Sequence, residues 1–201
     1  MKRIFILLLI SLTLTFCTQS PAEEYYKKGE AKGKLGDFKN AITDYNKAIE
    51  LDPKMAKAYN ERGICRSELK DYQGAVDDYT KAIELAPTGY WIYNNRGLAK
   101  DNMKDYAGAR QDYNKTIELN PKYADVYYNI GRNEMDAKEY EKAIEGFNKY
   151  TELDSVFAST YYYRGTCKLA LGDTTNACLD WHKAEKLGYK KVEKKIAKFC
   201  K

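Results

Sequence analysis

Histidine is nearly missing from this chain. His182 stands alone, in a helical stretch beside Trp181, which leaves no place for a His-based triad or a multi-histidine metal site. No HExxH, no phosphate-binding GxxxxGK and no close CxxC pair occurs. The plentiful carboxylates fall at helix-cap and surface phases, so the sequence offers no catalytic set, and neither a metal nor a cofactor is expected. Proline is scarce: four residues exclude a proline-rich linker architecture. One long apolar run exists, Ile4 to Phe16, too short to span a bilayer. Phenylalanine occurs six times against nineteen tyrosines, which suits half-buried surfaces where a ring needs an apolar body and a wet hydroxyl. The net charge is +5, and Lys2 and Arg3 supply two of it, too little to suggest a nucleic-acid partner. With 44% hydrophobic and 31% charged residues, the composition is that of a folded soluble chain.

The start reads MKRIFILLLISLTLTFC. Two cations precede an apolar stretch, the pattern of a secretory signal. Leu14 lies three residues before Cys17, which resembles the bacterial lipoprotein signal. That resemblance implies a signal peptide over 1–16, lipidation of Cys17 and a short tether over 17–21. Phe16 departs from it, because a small residue is usual there. The alternative is ordinary cleavage after Ala22, with Ser20 and Ala22 as the small residues. Either reading exports the chain, to the cell envelope as a membrane-anchored lipoprotein or as a soluble periplasmic or secreted protein.

Beyond the leader the sequence repeats itself. Tyr25, Tyr59, Tyr93, Tyr127 and Tyr161 recur at a step of 34, as do Gly29, Gly63, Gly97, Gly131 and Gly165. Ala41, Ala75, Ala109, Ala143 and Ala177 keep the same step, and Pro53, Pro87 and Pro121 follow it. Each unit holds two helical patterns, for example the face Tyr93, Arg96, Gly97, Lys100 and then Ala109, Tyr113, Thr116, Ile117. An acid precedes every second helix (Asp37, Asp71, Asp105, Glu139, Asp173), placed to accept free backbone N–H groups. Asp52-Pro53 and Asn120-Pro121 read as cap-then-proline starts of the next first helix. Ser20-Pro21-Ala22-Glu23 reads as a capping box.

These residues, with the second-helix aromatics Tyr45, Tyr79, Tyr113, Phe147 and Trp181, resemble the tetratricopeptide repeat (TPR) family. The resemblance implies an all-α fold, a right-handed superhelix of helix-turn-helix repeats. The units are 22–55, 56–89, 90–123, 124–157 and 158–188, followed by a capping helix over 189–201. Glycine in mid-helix costs about 1 kcal/mol relative to alanine. Close approach of the paired helices, with the alanines opposite, is its expected compensation.

Comparing the units predicts an ion pair within each. The residue before the glycine is Lys28, Arg62, Arg96, Ile130 or Arg164, and the residue before the second-helix aromatic is Asp44, Asp78, Asp112, Gly146 or Asp180. Base and acid vanish together in the fourth unit. The functional rival is that the arginines line a ligand groove. Cys65 and Cys167 share a phase three units apart and read as small buried residues. Cys178 and Cys200 could form a disulfide stapling the capping segment, whose apolar stripe is Tyr189, Val192, Ile196 and Phe199; the alternative is two reduced thiols. The lysines of that segment read as a solvated face, with contact to anionic lipid or an acidic partner as the rival.

The family resemblance also implies a concave groove on the first helices that accepts an extended peptide. Carried over by phase, its aromatic and apolar wall is Tyr26, Ile64, Trp91, Leu98, Tyr128 and Tyr162. Its polar wall is Asn60, Asn94, Asn95, Asn129 and Arg132. Asparagine amides can hold an extended backbone by donor and acceptor at once. The carboxylate clamp of some TPR proteins is not expected. Tyr26, Glu30, Ile64 and Asp125 stand where its residues would be needed, and only Asn95 fits. The expected role is a non-enzymatic interaction scaffold of the cell envelope with a protein or peptide partner. The alternative is a structural or self-assembling envelope subunit whose groove is unused.

Overall fold

A computed structural model describes residues 20–200. The segment expected to be a signal peptide, Cys17 and Lys201 lie outside the described residues. Every regular element described is helical. Five hairpins run in chain order: α1 (Pro21–Lys34) with α2 (Phe38–Leu51), α3 (Ala56–Glu68) with α4 (Tyr72–Leu85), and α5 (Tyr90–Asn102) with α6 (Tyr106–Leu119). They continue with α7 (Ala124–Asp136) and α8 (Tyr140–Leu153), then α9 (Ala158–Ala170) and α10 (Thr174–Lys186). Each hairpin packs on the next, and the stack is an all-α solenoid. Its core is a row of small clusters at the repeat junctions rather than a single centre. None of these helices is long and apolar enough to cross a membrane.

The glycines touch aromatics more than alanines. A Cβ on Gly97 would lie 2.6 Å from Tyr113 Cε1, and the same ring-over-glycine contact recurs at Gly29, Gly63 and Gly131. The expected partner Ala109 is fully buried, but the ring of the second helix is what fills the space above the glycine. In the fourth hairpin the backbones themselves meet: a Cβ on Gly146 would lie 2.9 Å from Gly131 N. That proximity explains why the fourth unit has no acid at this phase.

The second helices start as their sequences predict. Asp37, Asp71, Asp105 and Asp173 each accept from the backbone N–H three residues on. Glu139 makes no such bond and pairs with Lys142 instead. Its extra methylene carries the carboxylate past the N–H groups that aspartate reaches. At the N-terminus, Ser20 Oγ accepts from Glu23 N at 3.2 Å, while the Glu23 carboxylate takes Lys57 Nζ. The predicted Asp-Pro and Asn-Pro starts are corrected. Helices α3 and α7 begin three residues after Pro53 and Pro121, and Asp52 and Asn120 accept from Lys54 N and Lys122 N within the preceding turn. Aspartate and asparagine close the turn by bonding two residues ahead, which leaves no side-chain oxygen for the helix.

Between first and second helices the chain passes through the left-handed region, at Gly36, Lys70, Lys104, Lys138 and Gly172. Lysine there carries a Cβ penalty that glycine avoids. Lys104→Gly is therefore expected to raise stability by about 1 kcal/mol, read as a higher urea midpoint; an unchanged or lower midpoint would contradict the strain.

Ion pairs tie the hairpins as the repeat comparison predicts, with one correction. Arg62, Arg96 and Arg164 each grip Asp78, Asp112 and Asp180 through Nε and Nη2, at 2.5–3.0 Å. In the first unit Lys28 instead pairs with Glu24, one turn before it on α1, and Lys32 takes Asp44 at 2.6 Å. A second cation, four residues after the arginine, joins each acid: Arg66, Lys100 and Lys168. The fourth unit has Glu134 at that phase, and Arg110 of the preceding hairpin neutralises it. The arginines also reach back to Asn46, Thr80 and Asn148 on the previous second helix, so each one clamps three helices.

The end of the solenoid is closed by a 3-10 turn, Lys190–Val192, and a short α11 (Glu193–Phe199). The expected single helix over 189–201 is thus interrupted and shorter. Gly188, at φ +87°, turns the chain back so that Tyr189, Val192, Ile196 and Phe199 cover Trp181 and Tyr162. Cys178 and Cys200 are joined as a disulfide, closing a loop of 22 residues. Cys200→Ser is expected to lower stability by about 2–3 kcal/mol, measured by thermal melt under non-reducing conditions. A melt identical to wild type would show that the bond carries no load.

Candidate functional site

Two features of packing make one face concave. Consecutive first helices touch: α1 meets α3, α3 meets α5, α5 meets α7 and α7 meets α9. The large second-helix rings are wedged behind them. The tighter ladder of first helices therefore forms the inner wall. Along it run two adjoining hollows. The first, about 480 Å³, lies between α3 and α5 and is lined by Ile64, Ser67, Glu68, Asn95, Leu98 and Asn102 among others. The second, about 270 Å³, lies between α5 and α7, with Asp101, Tyr128, Asn129, Arg132 and Asp136. They share Leu98 and Asn102, so they form one groove across the second to fourth repeats.

Of the sequence-predicted groove residues, the structure brings Ile64, Asn95, Leu98, Tyr128, Asn129 and Arg132 to this groove. Others stand elsewhere. Asn60 and Asn94 are only 5% and 3% exposed. Their side-chain oxygens accept from Asn95 and Asn129 of the next repeat, at 3.4 and 2.9 Å. These amides stitch neighbouring first helices together instead of facing a ligand. Tyr162 packs on Tyr189 of the capping segment at 5.0 Å. Tyr26 lies against Tyr45 under the Lys57 ammonium, and burial pushes its hydroxyl up to about 12. Trp91 is 48% exposed, edge-on to Tyr90, outside both hollows. The clamp arginines point at second helices and are not part of the groove wall.

Sequence reasoning missed the lower wall: Ser67, Glu68, Asp101, Asn102 and Asp136. Glu68, Asn102 and Asp136 share one phase at the 34-residue step, and a polar residue recurring there was the available signal. Asp101 is held by Tyr113 Oη at 2.5 Å and by Asn133 Nδ2, and burial raises its carboxyl above the usual range. Tyr128 is packed among Phe147, Tyr150, Phe157 and Tyr163, while the Arg132 guanidinium lies 4.3 Å over the Tyr163 ring. The groove thus offers apolar contacts, side-chain amides and carboxylates on a rigid wall. Among the described residues no group of three or more His, Cys, Asp and Glu is arranged to hold a metal ion.

Models of the tetratricopeptide repeat match residues 22–55, 56–88, 90–123 and 124–157. The chain belongs to the tetratricopeptide repeat family. The matched segments end at residue 157, and the hairpin of α9 and α10 continues the same geometry for a fifth TPR unit. A comparison with curated proteins finds no match. Solved structures do match. A MamA protein is 26% identical, with a TM-score of 0.75 over 89% of this TPR chain and 94% of that one. YrrB, described as a TPR protein with an unusual peptide-binding site, is 21% identical, with a TM-score of 0.69 over 83% and 86% of the two chains. Pseudomonas aeruginosa pilF is also 21% identical, with a TM-score of 0.75 over 83% and 76%. TPR proteins generally mediate protein–protein interaction.

Proposed function

We propose that this TPR protein is a non-enzymatic scaffold of the bacterial cell envelope that holds an extended segment of another protein in its concave groove. The continuous groove over α3, α5 and α7 carries the proposal. Ile64 and Leu98 offer apolar contact, and Asn95 and Asn129 keep amide groups at its wall. YrrB, a TPR protein of similar fold described as having an unusual peptide-binding site, supports a peptide partner. A photo-crosslinker placed at position 98 in cells is expected to trap a discrete protein adduct, lost on Ile64→Ala with Asn129→Ala. The same probe at Glu118 of α6 should trap none. Equal labelling from both positions, or none from position 98, would overturn the groove.

The leader and Cys17 support export and lipid anchoring, and a disulfide at the far end suits an oxidising compartment. Mass spectrometry of the mature N-terminus should find a diacylglyceryl-modified Cys17. A mature chain starting at Glu23 would replace the anchor with a soluble form.

One observation favours the second reading, a self-assembling subunit. At the corner between α8 and α9, Leu153, Val156 and Phe157 are 43%, 70% and 45% exposed. Concentration-dependent assembly abolished by Val156→Asp would assign this corner to contacts between copies.

A further inference from the structure

We infer that the groove selects a cationic extended segment, with lysine or arginine at every third residue. This rests on the groove being the binding surface.

Four of the second helices carry the same ion pair on their outer face. At one phase of the second helices, Lys47–Glu50, Lys81–Glu84, Lys115–Glu118 and Lys149–Glu152 pair at 2.6–2.9 Å. Among the described residues, the carboxylates on the groove wall lack such a salt bridge, as do the exposed Asp77, Glu141 and Glu145 on the second helices. Glu68 and Asp136 are exposed at its wall and form no ion pair among the described residues. Asp101 accepts from Tyr113 and Asn133, with Arg132 in the same hollow. At the N-terminal end of the same wall, Glu61 accepts from the Asn60 amide with Lys34 in the same hollow, and burial raises its carboxyl above the usual range.

The cations nearby are fewer. Lys34 is bound to Glu30, Lys70 lines the first hollow with Glu68, and Arg132 lies over Tyr163 with Asp101 and Asp136 nearby. The two hollows thus hold three carboxylates, Glu68, Asp101 and Asp136, against two cations, Lys70 and Arg132, an acidic excess on a chain whose net charge is +5. Concave low-dielectric walls focus such a field on whatever enters.

The spacing sets the pattern. Glu68, Asp101 and Asp136 come one from each of α3, α5 and α7. Packed helices lie about 8–10 Å apart, and an extended chain rises about 3.3 Å per residue. One repeat therefore spans about three ligand residues. Ile64 and Leu98, on the same helices as Glu68 and Asp101, favour an apolar residue next to each cation.

The test uses the full chain and three fluorescein-labelled peptides, (Lys-Leu-Ser)4, (Gln-Leu-Ser)4 and (Glu-Leu-Ser)4, read by anisotropy. The lysine peptide is expected to bind at least about tenfold more tightly than the other two, and to weaken as salt rises from about 50 to about 300 mM. Glu68→Gln with Asp136→Asn should weaken it about tenfold while the thermal melt is unchanged. Glu84→Gln with Glu118→Gln, on outer faces, should leave it unchanged. Equal loss from the outer-face pair, or no loss from the groove pair, overturns the inference. If the glutamine peptide binds as tightly as the lysine one, and Leu98→Ala weakens both, charge selection falls and the groove reading stands. If no peptide binds, both fall.

Discussion

Asp112→Leu is expected to destabilise the protein by about 3–5 kcal/mol, because it strands two cations against a wall built for one carboxylate. Asp112 is 3% exposed and bonds Arg96 through two nitrogens and Lys100 at 2.7 Å. Arg96→Met alone should cost less. Lys100 remains beside Asp112, and the arginine is the more exposed partner, at 17% of its side chain. The double variant should be more stable than the sum of the two losses, since the remaining leucine and methionine fill the space without a charge to satisfy. Urea unfolding of the four chains gives the coupling energy. A sum that is simply additive would mean that the clamp is ornamental, however close its atoms lie.

Rebuilding the missing clamp of the fourth unit should fail. Ile130→Arg with Gly146→Asp restores the residues of the other units, yet it is expected to cost about 4 kcal/mol or more. A Cβ on residue 146 would lie 2.9 Å from Gly131 N and 3.1 Å from Tyr127 O, and backbone cannot step aside as a side chain can. The carboxylate would then have to enter a junction where Glu134 already occupies Arg110. Gly146→Ala alone separates the terms, since it adds the clash without the charge and should cost about 1–3 kcal/mol. A double variant as stable as wild type would show that the fourth hairpin can open to the spacing of its neighbours.

Legibility followed distance. The clamps could be read because acid and base recur in step sixteen residues apart, and the fourth unit loses both at once. The second cation was equally legible at positions 32, 66, 100 and 168, one helical turn after the first. Lys28 misled because Glu24, on its own helix, is a nearer partner than Asp44. Asn60 and Asn94 misled for a different reason. Their phase points towards the concave side, but whether an amide there faces solvent or the next helix depends on how tightly neighbouring repeats nest.

The periodicity alone determined five helical hairpins and their order, because each apolar stripe recurs every 34 residues and can be buried only against its neighbours. Its second-helix starts and its paired charges are local or near-local chemistry, and such chemistry is written in residue spacing. Tertiary packing alone decided how closely the helices approach, and with it the loss of the fourth clamp, the stitching of the asparagines and the carboxylates left facing the groove. Those outcomes depend on distances between residues a repeat or more apart, which side-chain volumes set jointly and no single stretch of sequence contains.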